Sequence, residues 1–509
     1  MRLAKIAALA VAAIACQSAP IPSRQTVPAV ATTARVWLTT GDQRHLLEPQ
    51  PELRASATPA AAASATIEID PEKSYQEIIG FGAAMTDASA HLLMKLPPSV
   101  REIALHDLFG PPSSNGPRGS ATGIGMSFIR VPMGASDFSM SHYSYDDVPV
   151  GESDSTLRHF SIEPDRVEKL PMLRRALEIN PRLKVMASPW SAPGWMKTTN
   201  SLIKGTLQPL YYDSFANYFM KFIRAYEREG VPVYSISLQN EPAFEPDNYP
   251  GMRLDPPARA RVIANHLGPA FARAGIRTMI WDWDHNWDAP QQPLDVLADT
   301  AARKYIQGVA WHCYGGDVAA QSVVHDRYPG KDTYFTECSG GEWSPKFDEN
   351  LKWTVNTLII GATRNWARGV LLWNLALDPQ YGPHLGGCGN CRGVVTVDTV
   401  KRSYFRNVEY YALAHASKFV RPGARRIESI GGDSTLTHVA FRDMDDGSIA
   451  VIVLNSTDAV RPLVLRIGST AFQYEMPAAA VVTVVIASKQ PGESLRATGL
   501  RTEGSNQVH

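Results

Sequence analysis

The sequence predicts an α/β chain: a (β/α)8 TIM barrel with an attached all-β sandwich built from both chain ends. Three observations carry that expectation. Between residues 77 and 419, eight apolar β-branched runs alternate with amphipathic helical patterns, which suits a closed parallel barrel better than an open doubly wound sheet. After about residue 420 the hydrophobic period shortens to that of strands. Strand-like segments at Arg35–Thr39 and Ala65–Ile69 precede the barrel and are expected to join the later strands.

The elements follow in chain order. Met1 to Lys5 carries two positive charges, and Ile6 to Ala15 is apolar but shorter than the about 20 residues that span a bilayer. This is the pattern of an export signal. Cys16 follows Ala13-Ile14-Ala15, which resembles a bacterial lipoprotein cleavage box except that Ala13 stands where Leu is usual. Two outcomes stay open, lipidation of Cys16 or ordinary cleavage near Ser18-Ala19. In both the chain leaves the cytoplasm, as a periplasmic or membrane-anchored lipoprotein or as a secreted protein. Residues 17–33, rich in Ala, Ser, Pro and Thr, read as a tether, and residues 55–65 as a loop.

Sandwich strands are expected within 34–76. The barrel, 77–419, should place strands at Glu77–Phe81, Met126–Pro132, Lys184–Ser188, Val233–Gln239, Thr278–Asp282, Gly308–His312, Asp332–Thr336 and Gly369–Asn374. The clearest helix is Tyr211–Glu229, where Phe215, Phe219, Phe222, Ile223 and Tyr226 share one face. Others are expected at Asp165–Glu178, Pro257–Ala274, Phe347–Trp366 and Val408–Lys418. In the second sandwich segment, 420–488, Leu436–Arg442 and Ser448–Leu454 flank Asp446-Gly447, a hairpin turn signal, and Leu463–Ile467 and Ala478–Ile486 read as strands. Residues 489–509 form a polar, aperiodic tail.

Composition narrows the function. Hydrophobic residues make up 44% and charged residues 20%, which excludes a disordered chain and a membrane bundle. Fifty Lys plus Arg balance fifty Asp plus Glu, so no net positive field favours nucleic acid. Eleven Trp and 18 Tyr suit a core or a pocket for ring-shaped ligands equally well. Cys388 and Cys391 form a CxxC, which serves as a zinc half-site, a redox pair or a local disulfide. With no second CxxC and no following helix pattern, the local disulfide is the expectation. Cys313 and Cys338 read as buried free thiols.

The chemistry is expected at the carboxyl ends of the strands. The fourth ends in Ser237-Leu238-Gln239-Asn240-Glu241-Pro242 and the seventh in Tyr334-Phe335-Thr336-Glu337-Cys338. A single strand-end Glu is ordinarily a salt bridge or a helix cap; two delivered to one rim are the minimal apparatus for cleaving a glycosidic bond with retention, at a separation of about 5–5.5 Å. Asn240 offers an amide to a sugar 2-hydroxyl. Other strand ends add Asp87, Trp190, Trp195, His312, Tyr314, Trp373 and Asn374. Trp281, Trp283 and Trp287 are ambiguous, since only alternate side chains face inward. His285, His312 and His384 lack metal-ligand spacing, so neither metal nor cofactor is expected. A non-catalytic glycan-binding lipoprotein is the rival reading, disfavoured by the presence of both glutamates.

The segments Gly80-Phe81-Gly82-Ala83-Ala84-Met85-Thr86-Asp87, Ala187 to Lys197, Asn240-Glu241-Pro242, Thr336-Glu337-Cys338 and Trp373-Asn374-Leu375-Ala376-Leu377 resemble glycoside hydrolase family 30, which includes glucosylceramidases and endo-β-1,6-glucanases. The resemblance implies Glu241 as acid/base, Glu337 as nucleophile and Asn240 on the 2-hydroxyl. It implies Asp87, Trp190 and Trp373 as contacts to the non-reducing glucose, with Tyr314 beside the nucleophile. The loop Tyr381 to Val395 departs from the glucosylceramidases, placing His384 where they carry a substrate-binding Asn, and looks more like the β-1,6-glucanase branch. The implied partner is a β-linked glucan or glucoside, preferably β-1,6-glucan, with glucosylceramide or another β-glucoside or β-xyloside as the alternative.

Overall fold

The computed structural model describes residues 30–56, 65–111 and 123–488. The expected leader with Cys16, most of the tether, most of the 55–65 loop and the tail from residue 489 lie outside them. Among the described residues no helix is long and apolar enough to cross a membrane.

Eight parallel strands close a barrel: Gly80–Ala84, Phe128–Pro132, Lys184–Ser188, Val233–Ser237, Met279–Asn286, Ile306–His312, Asp332–Glu337 and Ala367–Asn374. They read as nearly unbroken apolar runs because both faces are covered. Phe128, Met186, Trp281, Tyr334 and Leu371 form a cluster inside, with Trp281 stacked on Tyr334 at 3.6 Å. Outside, Tyr212–Arg228 buries the expected aromatic stripe. The expected helix at Asp165–Glu178 is divided into Glu163–Arg166 and Lys169–Ile179. Those at Pro257–Ala274 and Phe347–Trp366 pass through wider π-helical turns at Ile263–Leu267 and Thr354–Gly361.

Strands from both chain ends form one nine-stranded sheet. Val30–Thr40 lies between Leu46–Arg54 and the final strand Ala480–Ser488, and Thr66–Glu77 lies between Arg425–Gly431 and Arg461–Ile467. The sheet folds over a core that includes Val36, Leu38, Ile67, Val451, Phe472 and Val484, and a bridge from Ser56 to Ala471 joins its two edges. Helix Val408–Ser417, buried on every side, wedges between sheet and barrel. There His415 reaches Thr39 and Thr483 at 2.8 and 2.9 Å.

One expectation about the cysteines is overturned: Cys313 and Cys338 are not free thiols but a disulfide. The sixth and seventh strands are neighbours, with His312 paired to Glu337. The next residue of each strand is therefore Cys beside Cys, with Cα atoms 5.4 Å apart, inside the range a disulfide needs. Cys388 and Cys391 form a second disulfide.

Candidate active site

At the carboxyl-end rim, a cleft of about 570 Å³ is lined by Trp190, Asn240, Glu241, Tyr314, Glu337 and Trp373. Asp137, Phe244, Tyr249, Trp343 and the Cys388–Cys391 disulfide complete its walls. Trp190 and Trp373 stack at 5.0 Å, 23° from parallel. Two further residues expected here are engaged with partners of their own. Asp87 is the first residue of helix Asp87–Lys95, where its carboxylate pairs with Lys169 at 2.8 Å and accepts from Tyr143 and Ser139. His384 is an exposed loop residue bound to the Gly386 carbonyl at 2.9 Å, its ring 5.8 Å from that of Phe138.

Beneath the glutamates lies a charged cluster that strand-end reasoning misses. Arg130, fully buried on the second strand, donates to Glu337, to Asn240 Oδ1 at 2.7 Å and to Asp284 Oδ2 at 2.8 Å. Its guanidinium carbon lies 4.8 Å from the Trp190 ring centre. The available signal was a lone cation in the apolar strand Phe-Ile-Arg-Val-Pro, since a buried Arg requires partners.

Asp284 is the hub. It accepts from Arg130, from Ser188 at 2.8 Å, from Ser237 at 2.6 Å and from Thr336 at 2.7 Å. Simple alternation from Trp281, which points into the barrel, would aim residue 283 inward instead. The strand register slips between Trp283 and His285, and Trp283 and Asp284 adopt φ of 74° and 57°. This bulge exchanges the two faces and turns the carboxylate in. Glu241 also sits at positive φ, 48°, its N–H held by the Asp284 carbonyl at 3.1 Å. Backbone strain of this kind persists where the surroundings over-determine it.

His312 spans two carboxylates, with Nδ1 3.1 Å from Glu241 and Nε2 3.1 Å from Asp284. Burial works against its charge, but the Glu337 charge and the two hydrogen bonds prevail and raise it to about 9. Asp284 ionises far below the usual carboxylate range: burial opposes this, but the Arg130 charge and the His312 hydrogen bond outweigh it. Burial would likewise raise Glu241, yet the His312 hydrogen bond and the nearby cations hold it below the ordinary value. Burial raises Glu337 despite His312 and Arg130. Tyr314 OH donates to Glu337 at 3.0 Å. Asp137 is raised well above its usual value, by burial first and then by the two glutamate charges.

Oxygen atoms of Glu241 and Glu337 and a nitrogen of His312 lie within 4.8 Å of one another, close enough to chelate an ion. Both imidazole nitrogens are already committed to carboxylates and a guanidinium adjoins Glu337, so the donor set suits proton transfer better than a metal. The His312 shift predicts a pH dependence of stability. A folded-state value near 9, against about 6.5 unfolded, stabilises the fold fully below the unfolded value and is lost as pH rises through the folded one. Thermal melts should show wild-type Tm falling between pH 6.5 and 9, with a visibly shallower slope in His312→Gln; parallel slopes would assign the titration to another group.

Comparison with known proteins agrees with this architecture. The model for the glycosyl hydrolase family 30 TIM-barrel domain matches residues 78–420, and that for the family 30 β-sandwich domain matches residues 423–484. An endo-1,6-β-D-glucanase of Aspergillus fumigatus is 34% identical over 79% of this chain and 84% of its own length. One from Neurospora crassa is 34% identical over 84% and 89%. The lysosomal acid glucosylceramidase of Mus musculus is 29% identical over 86% of both. Among solved structures, an endo-β-1,6-glucanase superposes with a TM-score of 0.80 at 31% identity, covering 90% of this chain and 99% of the other.

Proposed function

The chain belongs to glycoside hydrolase family 30, and from that membership we propose that it is a retaining endo-β-1,6-glucanase, with Glu337 as nucleophile and Glu241 as acid/base. One observation carries the mechanism: carboxylate oxygens of the two glutamates lie within 4.8 Å of each other. That spacing suits direct attack on the anomeric carbon, whereas inversion needs about 6.5–9.5 Å to admit a water. The greater identity to endo-1,6-glucanases than to the mouse glucosylceramidase supports the linkage.

In the first step a Glu337 oxygen bonds to the anomeric carbon while the bond to the leaving oxygen breaks and that oxygen takes the Glu241 proton. Glu241 gives up its proton in the first step and regains one from water in the second, so the cycle balances without a proton from His312, whose hydrogen bond favours the ionised Glu241 that acts as base in the second step. In the second step Glu241 takes a proton from water, whose oxygen displaces Glu337 from the anomeric carbon. Asn240, fixed by Arg130, presents its amide to the 2-hydroxyl, a contact that strengthens as charge develops on the ring. Trp190 and Trp373 offer apolar faces to the sugar.

Incubation with β-1,6-glucan, β-1,3-glucan, xylan and glucosylceramide in parallel tests the reading. Oligomers from β-1,6-glucan are expected; exclusive release of glucose from glucosylceramide would overturn it. Glu241→Ala should lose roughly 100-fold or more on poor leaving groups and far less on activated aryl glucosides. Equal losses would remove Glu241 from the acid role. We also infer export: the N-terminal charge and hydropathy pattern and two disulfides fit an oxidising compartment, with Cys16 the residue a lipid anchor would use. Recovery of the chain in the cytoplasmic fraction would refute this.

A further inference from the structure

The catalytic cleft does not end at the glutamates. A second hollow of about 490 Å³ opens beside it, and Tyr314 and Trp343 line both spaces. Beyond Trp343 the hollow is walled by Trp353, the last residue of helix Phe347–Trp353. Large apolar side chains are normally covered. Here the exposed aromatics among the described residues are Phe244, Tyr314, Trp343, Trp353 and Phe405, and four of these five line the cleft or this hollow. Trp343 is 55% and Trp353 46% exposed. Such clustering is not the scatter of single apolar residues found on any surface.

The lining is apolar with a few polar groups set into it, the pattern of a small-molecule site. Ser344, Glu349 and Asn350 supply a hydroxyl, a carboxylate and an amide. Indole faces with hydroxyl-binding groups beside them match a pyranose ring, apolar on its faces and polar at its rim. The two shared walls decide the occupant: Tyr314 and Trp343 line both spaces, so a glycan lying across Glu241 and Glu337 meets the hollow at these side chains.

We propose that this hollow is a remote sugar-binding subsite, which takes a glucosyl unit of the same β-linked chain away from the bond being cut, with Trp353 as its stacking platform. The proposal rests on the glucanase reading and deepens it. It makes the enzyme favour long chains over short ones.

The test uses β-1,6-linked oligosaccharides of two and six units, titrated calorimetrically into the full chain carrying Glu337→Gln, alone and with Trp353→Ala or Trp353→Phe. A lost stacking contact should weaken binding of the six-unit ligand about 3- to 10-fold. The two-unit ligand, too short to reach Trp353, should bind as before, and Trp353→Phe should restore most of the six-unit affinity. In the active enzyme, Trp353→Ala should raise KM for polymeric glucan by a similar factor with little change in kcat. Equal weakening of both ligands, or none, overturns the subsite. If that happens while wild type still cleaves β-1,6-glucan, the activity stands and only the subsite falls. Absence of any six-unit binding, with turnover of another glycan, overturns both.

Discussion

Glu337→Gln is expected to lower turnover of every β-glucoside by at least about 1,000-fold while leaving the protein folded. The amide is nearly isosteric with the carboxylate: its single oxygen can stay on Arg130, the partner of Oε2, while its NH2 takes the place of Oε1 and donates to the Tyr314 hydroxyl oxygen instead of accepting from it. What it lacks is a negative oxygen able to form an ester with the anomeric carbon. The loss should appear equally on activated aryl glucosides and on polymer, because departure of either leaving group requires attack by Glu337 in the same step, in contrast to the substrate-dependent loss from Glu241→Ala. Arg130 keeps its ion pair with Asp284, so the melting temperature should move by only a few degrees. Turnover close to wild type in a folded Glu337→Gln protein would exclude the double displacement.

Arg130→Met should damage stability and catalysis together. The guanidinium lies between two carboxylates and an amide with no exposure to water. Its removal strands the Asp284 and Glu337 charges in a buried space. Breaking a buried pair from one side costs roughly 3–5 kcal/mol, a large part of a domain's margin. Without the guanidinium, Glu337 rises further above the usual carboxylate range and fewer molecules hold it ionised, and Asn240 loses the donor that orients it. We expect kcat/KM to fall by about 100-fold or more in the protein that still folds. Arg130→Lys restores the charge but not the fork that reaches three acceptors, so it should recover stability better than activity. Melting curves and kinetics on both variants check this. Loss of activity with an unshifted melt would mean that Arg130 acts only on substrate.

Much of the barrel was legible because its strands are buried on both faces and stand out as apolar runs; Lys184–Ser188 has the same limits in sequence and structure. The first barrel strand, expected at Glu77–Phe81, begins at Gly80, because Thr66–Glu77 is a long sandwich strand that ends just before it. Arg425–Gly431 and Thr470–Met476 escaped notice since both carry polar residues among the apolar ones, the latter at a sheet edge. In the site, Glu241 and Glu337 could be read from strand ends, but Asp284 could not. Its inward aim depends on a bulge, which changes side-chain parity without changing the hydrophobic pattern. Asp87 could be read as a ligand group, but not its pairing with Lys169, which the fold brings to the helix Asp87 begins. Asp137 lies beyond a strand end, on a loop that only the folded chain brings over the cleft. The Cys313–Cys338 bond depends on register between adjacent strands, which composition does not reveal.

The arrangement of the sandwich has a consequence for how the chain is made. Val30–Thr40 pairs on one side with Ala480–Ser488, so one of the first strands to leave the ribosome must wait for one of the last. Until then that hairpin keeps an open, adhesive margin through the entire time the barrel is being synthesised. Truncation near the carboxyl terminus would leave that margin permanently uncovered, so shortened forms should be lost to aggregation even though every residue of the cleft is present.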